Sequence, residues 1–507
     1  MAKYKKYNYN QEMLVPVNLL DQLVPGTIEF TIHHLIENMP SVAKFNERYK
    51  NDDTGCPAYD PKILLKIILL GYSRGLISSR DIEQACRENI LFMALACGQT
   101  PDYSTIATFV SSMHGEIIPL FQNILLVCDE RNLLGGSCFA LDGVKLSSNA
   151  SLEWSGTIDE LKQKQERLQL KLERLLKQHI ASDENDSQKS AKSNHLENKI
   201  KELEKSVTKL QSWLENAEPK EGQKRKELKS NITDNDSATM TTSHGTIQGY
   251  NAQALVDSKH QIIIHAEAMG NCQDSENLPP MIEGAKENVK AIGKGDDYFK
   301  NKPLLGDANF HSETNLKKCA QEELDAYIPN VSFRSRDPRM APLEQLKSGH
   351  VEKRFTSVDF EIDVGNKFCK CPAGKQLKYK GRCQKGQAWY FKFVANTKNC
   401  RECPLRSSCL SSDKTKSRYL YIFEDHNARR TADEMLRKFD TEEGRNQYDH
   451  RIGIVEPVFG NIRAQKDMNK FTLRSKIKVN IQWMLYSIVH NMEKIAHYAN
   501  SEALQPC

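Results

Sequence analysis

Near the end of the chain, Glu456 is followed seven residues later by Arg463, in the run Asn446-Gln447-Tyr448-Asp449-His450-Arg451-Ile452-Gly453-Ile454-Val455-Glu456-Pro457-Val458-Phe459-Gly460-Asn461-Ile462-Arg463. Seven residues make about two helical turns, which would place the carboxylate and the guanidinium on one helix face. That combination suits a site holding a divalent metal together with a phosphate. Pro457 reads as the first position of a helix, with Glu456 at its start. Val455, Phe459 and Ile462 would anchor that helix to a core. Two more carboxylates lie far upstream. Asp142 follows Cys138-Phe139-Ala140-Leu141 and precedes Gly143, and Asp307 follows Pro303-Leu304-Leu305-Gly306. Each reads as the end of a short buried strand, where a carboxylate is costly unless a cation or a donor meets it. Three hard oxygen donors from separate elements suit Mg2+ or Mn2+, neither of which needs His or Cys. Two such ions about 3.5–4 Å apart can activate an attacking oxygen and stabilise a leaving one in phosphoryl transfer.

A second chemistry is written in the cysteines. Eight of the 14 are scattered, and the other six crowd between Cys369 and Cys409. Cys371, Cys400, Cys403 and Cys409 form a four-thiol set in which Cys400 and Cys403 have metal-knuckle spacing. In a reducing compartment this predicts Zn2+, with disulfides as the alternative. Lys375, Lys378, Lys380, Arg382, Lys385, Lys392 and Lys398 are interleaved there with Tyr379, Trp389, Tyr390 and Phe391. Basic and aromatic residues so mixed can grip nucleic acid, or can be a tiny core with solvated lysines.

The elements that must position these groups follow from the patterning. At 507 residues the chain exceeds what one core usually organises. Residues 30–134 are helical in pattern: Asp60 caps a run opened by Pro61, Ser78 caps 79–87 with Asp81 at capping-box spacing, and Asp102 or Ser104 starts another helix. Short helices joined by tight turns fit a helix-turn-helix module or a plain bundle. Ile158, Leu161, Leu168, Leu172 and Leu175, then Leu196, Ile200, Leu203, Val207, Leu210 and Leu214, recur at three-four spacing. They predict an antiparallel helical hairpin, or two coiled-coil helices pairing between chains. Residues 249–257 and 261–266 alternate as a β-hairpin, and 326–329 is strand-like. The sum is one mixed sheet flanked by helices. Past Glu456, a basic run (Lys466, Lys470, Arg474, Lys476, Lys478) could follow DNA phosphates, and the helix over 479–495 reads as core. Asp234 and Asp236 read as a polar loop, with metal binding as the rival role. No apolar run approaches the roughly 20 residues that span a bilayer. Residues 1–10 are polar and basic, unlike a signal peptide, and the net charge is +5, so a cytoplasmic protein with no membrane partner is expected.

In their order, Ala140-Leu141-Asp142-Gly143, Asn231-Ile232-Thr233-Asp234-Asn235-Asp236-Ser237, Gly249-Tyr250-Asn251-Ala252-Gln253, Gly306-Asp307-Ala308-Asn309-Phe310-His311-Ser312, Cys371-Pro372-Ala373-Gly374-Lys375, Cys400-Arg401-Glu402-Cys403-Pro404 and Val455-Glu456-Pro457-Val458-Phe459-Gly460 resemble the DDE transposases of bacterial insertion sequences, over nearly the whole chain. The branch it most resembles is the eleven-eighty-two family. The resemblance implies an α/β, ribonuclease-H-like core with helical and Cys-rich insertions. It maps Asp142, Asp307 and Glu456 onto the catalytic, metal-binding triad. It maps Tyr448, Arg451 and Arg463 onto the Tyr, Arg and Lys that accompany the Glu. Arg463 departs from the usual Lys, and four residues separate Arg451 from Glu456 where the related signature commonly has three. The expected domains are an all-α N-terminal DNA-binding domain (1–135), a first core strand (136–156) and a helical-hairpin, coiled-coil insertion (157–230). More core (231–345), a zinc-ribbon-like insertion (346–415), the C-terminal core with the Glu helix (416–498) and a tail (499–507) follow. The implied function is binding of element ends, DNA cleavage and joining of the 3′-OH to target DNA. Double-stranded DNA would be the partner, two Mg2+ or Mn2+ ions the cofactors with a structural Zn2+, and a homo-oligomer would assemble on DNA. A catalytically inactive DNA-binding derivative and a nuclease without strand transfer are the alternatives.

Overall fold

The computed structural model of the chain describes residues 17–49, 57–183, 191–221, 227–243, 245–331, 333–340, 355–385, 388–410, 412, 414–424 and 426–499. At its centre is a mixed sheet. Strand β1 (Phe139–Ser147) is followed by β2 (Ala238–Thr242), β3 (Gly245–Asp257), β4 (Ile263–Met269), β5 (Pro303–Gly306) and β6 (Asp325–Tyr327). The order across the sheet is β6-β5-β1-β3, with β2 and β4 both on the far edge of β3. β1 runs antiparallel to β3 and parallel to β5, and β5 parallel to β6. This is a mixed α/β architecture compatible with a ribonuclease-H-like core.

β1 is longer than its sequence suggests. Only Phe139, Ala140 and Leu141 form the apolar run, yet the strand continues to Ser147. Gly143 does not break it, because a side chain there would meet Gln253 Nε2 at 2.2 Å and Asn251 Oδ1 at 2.7 Å. Glycine is present to admit two side chains from β3 while the strand runs on. Asp142 therefore lies inside β1 and does not end it.

Among the described residues six α-helices precede the sheet: α1 (Ile28–Asn38), α2 (Pro61–Ser73), α3 (Ser79–Glu88), α4 (Ile90–Leu95), α5 (Tyr103–Ser112) and α6 (His114–Glu130). Asp60 caps α2 at Lys62 N with Pro61 in the first turn, and Asp102 caps α5 at Ser104 N and Thr105 N. Ser78 caps α3 through Arg80 N, so the box expected with Asp81 is not the one used. In the hairpin insertion, α7 (Ile158–Asp183) and α8 (Ala191–Glu215) pack on each other. Leu161, near the start of one, shares a small core with Leu210, near the end of the other. The pair is thus an antiparallel hairpin within one chain.

After α9 (Leu278–Ala291) and α10 (Glu313–Gln321), a separate module holds a three-stranded sheet of β7 (Lys378–Lys385), β8 (Ala388–Val394) and β9 (Tyr419–Phe423). It has its own core of Phe360, Cys369, Leu377, Phe393, Leu420 and Ile422. The chain closes with α11 (His426–Asp440), α12 (Glu442–Gly460) and α13 (Lys476–Tyr498). α13 is the hub. It packs on α1, α2, α5 and α6 as well as on β4, and Trp483, Tyr486 and Ile488 are among its fully buried residues. Tyr72 of α2 stacks on Tyr486 at 4.7 Å, so one hydrophobic core runs through the N-terminal helices and the sheet. Asp234 and Asp236 serve the start of this helix: Asp234 accepts from Ser475 N at 3.1 Å and Tyr250 Oη at 2.8 Å, and Asp236 from Lys476 N at 2.8 Å. Carboxylates at a helix N-terminus satisfy its unpaired amides and face its positive end. No helix among the described residues is long and apolar enough to cross a membrane.

Candidate active site

The sheet register brings two of the expected carboxylates together. Leu141 of β1 stands opposite Gly306 of β5, so the next residues along, Asp142 and Asp307, lie side by side where β5 ends. Arg451, on α12, donates from Nη1 to Asp142 Oδ2 at 2.7 Å across 309 residues of sequence. Both partners are largely enclosed, with side-chain exposures of 12% for Arg451 and 24% for Asp142. The guanidinium carbon lies 5.7 Å from the ring centroid of Tyr448, one turn back on the helix. Tyr448 is buried, edge-on to Phe333 at 5.4 Å and to Phe439 at 5.2 Å.

Electrostatics bind these four residues into one unit. Burial pushes the Asp142 carboxyl above its ordinary value, against the pull of Arg451 and of the Gly143 N–H, and the charge of Asp307 adds to the push. Burial likewise raises the Tyr448 phenol; Arg451 opposes the rise, while Asp307 and Asp142 add to it. Two carboxylates side by side in a half-enclosed site repel each other, and any cation placed between them is stabilised. Arg451 neutralises one of them. Its Nε is buried with no hydrogen-bond partner among the described residues.

Glu456 and Arg463 stand differently. Glu456 lies within α12, fourteen residues past its first residue, and Pro457 is interior to the same helix. The expectation of a helix start at Pro457 is corrected by a long-range contact. Proline cannot donate to the carbonyl four residues back, which here is Gly453. Gln261 Nε2 donates to that carbonyl at 2.9 Å, so the helix passes through the proline. Glu456 is exposed, whereas Val455, Val458 and Phe459 are buried. Five residues beyond Arg451, it sits about 140° further round the helix. Arg463 falls in a π-helical turn, Asn461–Gln465, and is exposed. Among the described residues neither side chain makes a hydrogen bond or an ion pair with Asp142 or Asp307, and no three His, Cys, Asp or Glu side chains are grouped tightly enough to hold a metal ion. Lys466, expected in a phosphate-following run, is fully buried and pairs with Glu493 at 2.7 Å.

Sequence reasoning missed what lies under Gly143. Asn251 Nδ2 and Gln253 Nε2 both donate to Asp274 Oδ1, at 2.7 and 2.9 Å, and Gln253 also donates to Asn251. This buttress ties β3 to the segment after β4 and fills the space over Gly143, next to Asp142. Its signal was the pairing of a glycine inside a strand with two amide side chains two residues apart on the neighbouring strand.

The four cysteines of the expected set share a cavity, although they are not grouped tightly enough to hold a metal ion as they stand. Cys371, Cys400, Cys403 and Cys409 line one cavity of ≈ 40 Å³, and all four thiols are free. Lys375 N donates to Cys371 Sγ at 3.3 Å. Burial raises the Cys409 thiol; Arg418 opposes this, while Cys400, Cys371 and Cys403 add to it.

Two family models match the chain. The family model described as a transposase DDE domain matches residues 370–496, which include the four cysteines, Tyr448, Arg451, Glu456 and Arg463. A second, described as a transposase domain (DUF772), matches residues 18–112. No curated protein matches the chain. With transposase models matching toward both ends and paired aspartates on the sheet between them, these matches support an insertion-sequence DDE transposase.

Proposed function

We propose that this transposase binds the ends of its element as double-stranded DNA, cleaves them, and joins the freed 3′-OH to target DNA, with Asp142, Asp307 and Glu456 as its catalytic carboxylates. The observation that carries the reading is the side-by-side placement of Asp142 and Asp307 with Arg451 from α12 against them. Their chemistry fits a divalent ion: hard carboxylate oxygens, mutually repelling and half enclosed, with no His or Cys required. DDE domains use Mg2+ or Mn2+ in general, and a bound pair of such ions supplies charge stabilisation to the attacking and leaving oxygens. Asp142 and Asp307 would hold them from the sheet, and Glu456 from α12. Arg451, with Tyr448 packed behind it, would orient the phosphate that is attacked. Arg463 would contact a neighbouring phosphate from the solvent side. In cleavage, water adds to phosphorus and the bond to the 3′ oxygen breaks, leaving a 3′-OH. In joining, that hydroxyl adds to a target phosphate and releases a target 3′-OH. No covalent protein intermediate is needed.

The four-cysteine cavity would hold one structural Zn2+. Four soft sulfur donors around a space of ≈ 40 Å³, one of them already accepting a backbone N–H, would close on such an ion. Copies of the chain would pair on DNA to bring two ends together.

Glu456→Gln tests the reading. It keeps the volume and the helix but removes a negative ligand, so DNA binding should survive while cleavage and joining of labelled element ends in Mg2+ both collapse, as for Asp142→Asn and Asp307→Asn. Combining the three changes should cost little more than one alone, because the carboxylates act as a unit. Near-normal cleavage by folded Glu456→Gln protein ends the three-carboxylate mechanism. Cleavage without joining by the unsubstituted chain identifies a nuclease, and end binding without either identifies an inactive regulator.

A further inference from the structure

The basic charge of this chain is not spread evenly. Residues 355–424 carry fourteen Lys and Arg against six Asp and Glu, an excess of eight where the whole chain has +5. The rest of the chain is therefore slightly acidic, and residues 17–131 alone hold fourteen acidic against nine basic residues. Electrostatic attraction for a polyanion is concentrated in the Cys-rich module.

The module also presents an unusual surface. Its sheet has an inner face, built on Phe393, Leu420 and Ile422, that forms its core. Alternation puts the residues between them on the outer face. Register places Lys392 opposite Tyr421, Val394 opposite Tyr419, and Tyr390 opposite Phe423. Tyr419 is 51% exposed and Tyr421 37%, well beyond what a large side chain on a small sheet needs to show. The ammonium of Lys392 lies between them, 5.4 Å from the Tyr419 ring centroid and 5.9 Å from that of Tyr421. Tyr390 and Phe423 continue the row, their rings 5.4 Å apart. The result is a strip of aromatic rings with a cation set in it.

Such a strip has a preferred ligand. Ring faces stack on nucleobases, and a base offers its face only when it is unpaired, while lysines follow the phosphates. Duplex DNA would offer the strip phosphates alone and leave the rings without a partner. We infer that the outer face of the β7–β9 sheet, with Tyr419, Tyr421 and Lys392 at its centre, binds unpaired DNA nucleotides. The inference rests on the transposase reading for the identity of the nucleic acid, and on the sheet alone for its single-stranded state.

The test uses the full chain and a fluorescein-labelled oligothymidylate of about 20 nucleotides, longer than the roughly 4–16 that one such platform covers. Anisotropy should report binding that an unlabelled duplex competes for poorly. Tyr419→Ala and Tyr421→Ala should each weaken it about 5- to 150-fold, the range for loss of one stacked base. Tyr419→Trp should retain it, which loss of a merely structural ring would not predict. Lys392→Gln should lower the slope of log affinity against log salt by about 0.7. Both tyrosines project away from the core, and zinc content with circular dichroism confirms that the variants fold. Equal binding of the oligonucleotide by folded alanine variants, or an equal loss of duplex binding in them, overturns the inference. Cleavage of element ends is scored in parallel. A chain that cuts but does not bind the oligonucleotide overturns the platform and leaves the transposase reading intact. One that binds through the tyrosines but never cuts does the reverse.

Discussion

Replacing Arg451 by Gln should loosen the sheet around Asp142, because the guanidinium is the charge that offsets two neighbouring carboxylates. At 2.7 Å and an effective dielectric of about 20, the Arg451–Asp142 attraction is on the order of 6 kcal/mol. Removing one partner of a buried pair typically costs about 3–5 kcal/mol, since the remaining charge is left unpaired. Residual exposures of 12% and 24% allow water to screen the pair, which lowers the expected loss to roughly 2–4 kcal/mol. Glutamine keeps the aliphatic stem and one donor but is two atoms shorter, so the contact of the guanidinium with the Tyr448 ring is lost along with the charge. Hydrogen exchange of peptides covering β1 should then speed up about 30- to 900-fold, the same energy expressed as a local opening constant. Mg2+ should restore protection in Arg451→Gln more than in the unsubstituted protein, because a divalent ion replaces the missing positive charge. Asp142→Asn in the same background should also restore it. The pH dependence has a definite sign. The folded-state Asp142 carboxyl is raised, so its contribution to stability is fully present below the unfolded value of about 3.9 and is lost as pH rises through the folded value. Without Arg451 that value rises further, and the defect of Arg451→Gln should shrink toward pH 4. Unchanged protection of β1, or additive effects of Arg451→Gln and Asp142→Asn, would refute the coupling.

Metal analysis under reducing conditions should find about one zinc per chain, and Cys403→Ser should lose it together with the order of the β7–β9 sheet; stoichiometric disulfides without zinc would sink the assignment. Replacing residues 158–214 by a short linker should leave exchange protection in β3 and α13 unchanged while impairing end pairing or DNA contact, because the hairpin has its own small core around Leu161 and Leu210. Loss of α13 protection would show that the hairpin belongs to the main core. Gly143→Ala should cost about 1–3 kcal/mol of stability near Asp142, read as faster exchange in β1, since its Cβ would sit 2.2 Å from Gln253 Nε2; an unperturbed strand would show that the Asn251–Gln253–Asp274 buttress yields freely.

What could be read from the sequence was what local pattern controls. Asp307 after Pro303-Leu304-Leu305-Gly306, the caps at Asp60 and Asp102, the hairpin heptads and the buried stripe of α13 all follow from periodicity and turn chemistry within a few residues. The misreadings share one cause, a partner far away in sequence. Gly143 looked like a strand end until Gln253 and Asn251 were seen to occupy its side-chain space. Pro457 looked like a helix start because a missing N–H costs nothing at the first helical position; Gln261, 192 residues away, instead satisfies the Gly453 carbonyl that the proline leaves free. Lys466 looked like a surface cation until Glu493 was found beside it in the core. Tyr419 and Tyr421 drew no notice because their meaning depends on Lys392 across a strand pair.

The same long reach explains how a chain with two large insertions keeps one site. The hairpin leaves the sheet after β1 and returns before β2, and the Cys-rich module leaves after β6 and returns at α11. Both interrupt connections, not strands, so neither disturbs the register of Leu141 with Gly306 that sets Asp142 beside Asp307. Arg451, by contrast, comes from beyond both insertions, on a helix that packs against β1, β5 and β6. The charge that quiets Asp142 is thus supplied only when the last third of the chain has docked. Until then the two aspartates repel each other without relief, and closing so long a loop is slow. α13 completes the docking, because its start is held by Asp234 and Asp236 after the hairpin and its body by α2 and α6 before β1. A chain truncated before α12 should therefore form neither the Asp142–Arg451 pair nor the core around Trp483, and cutting should be confined to the fully folded protein.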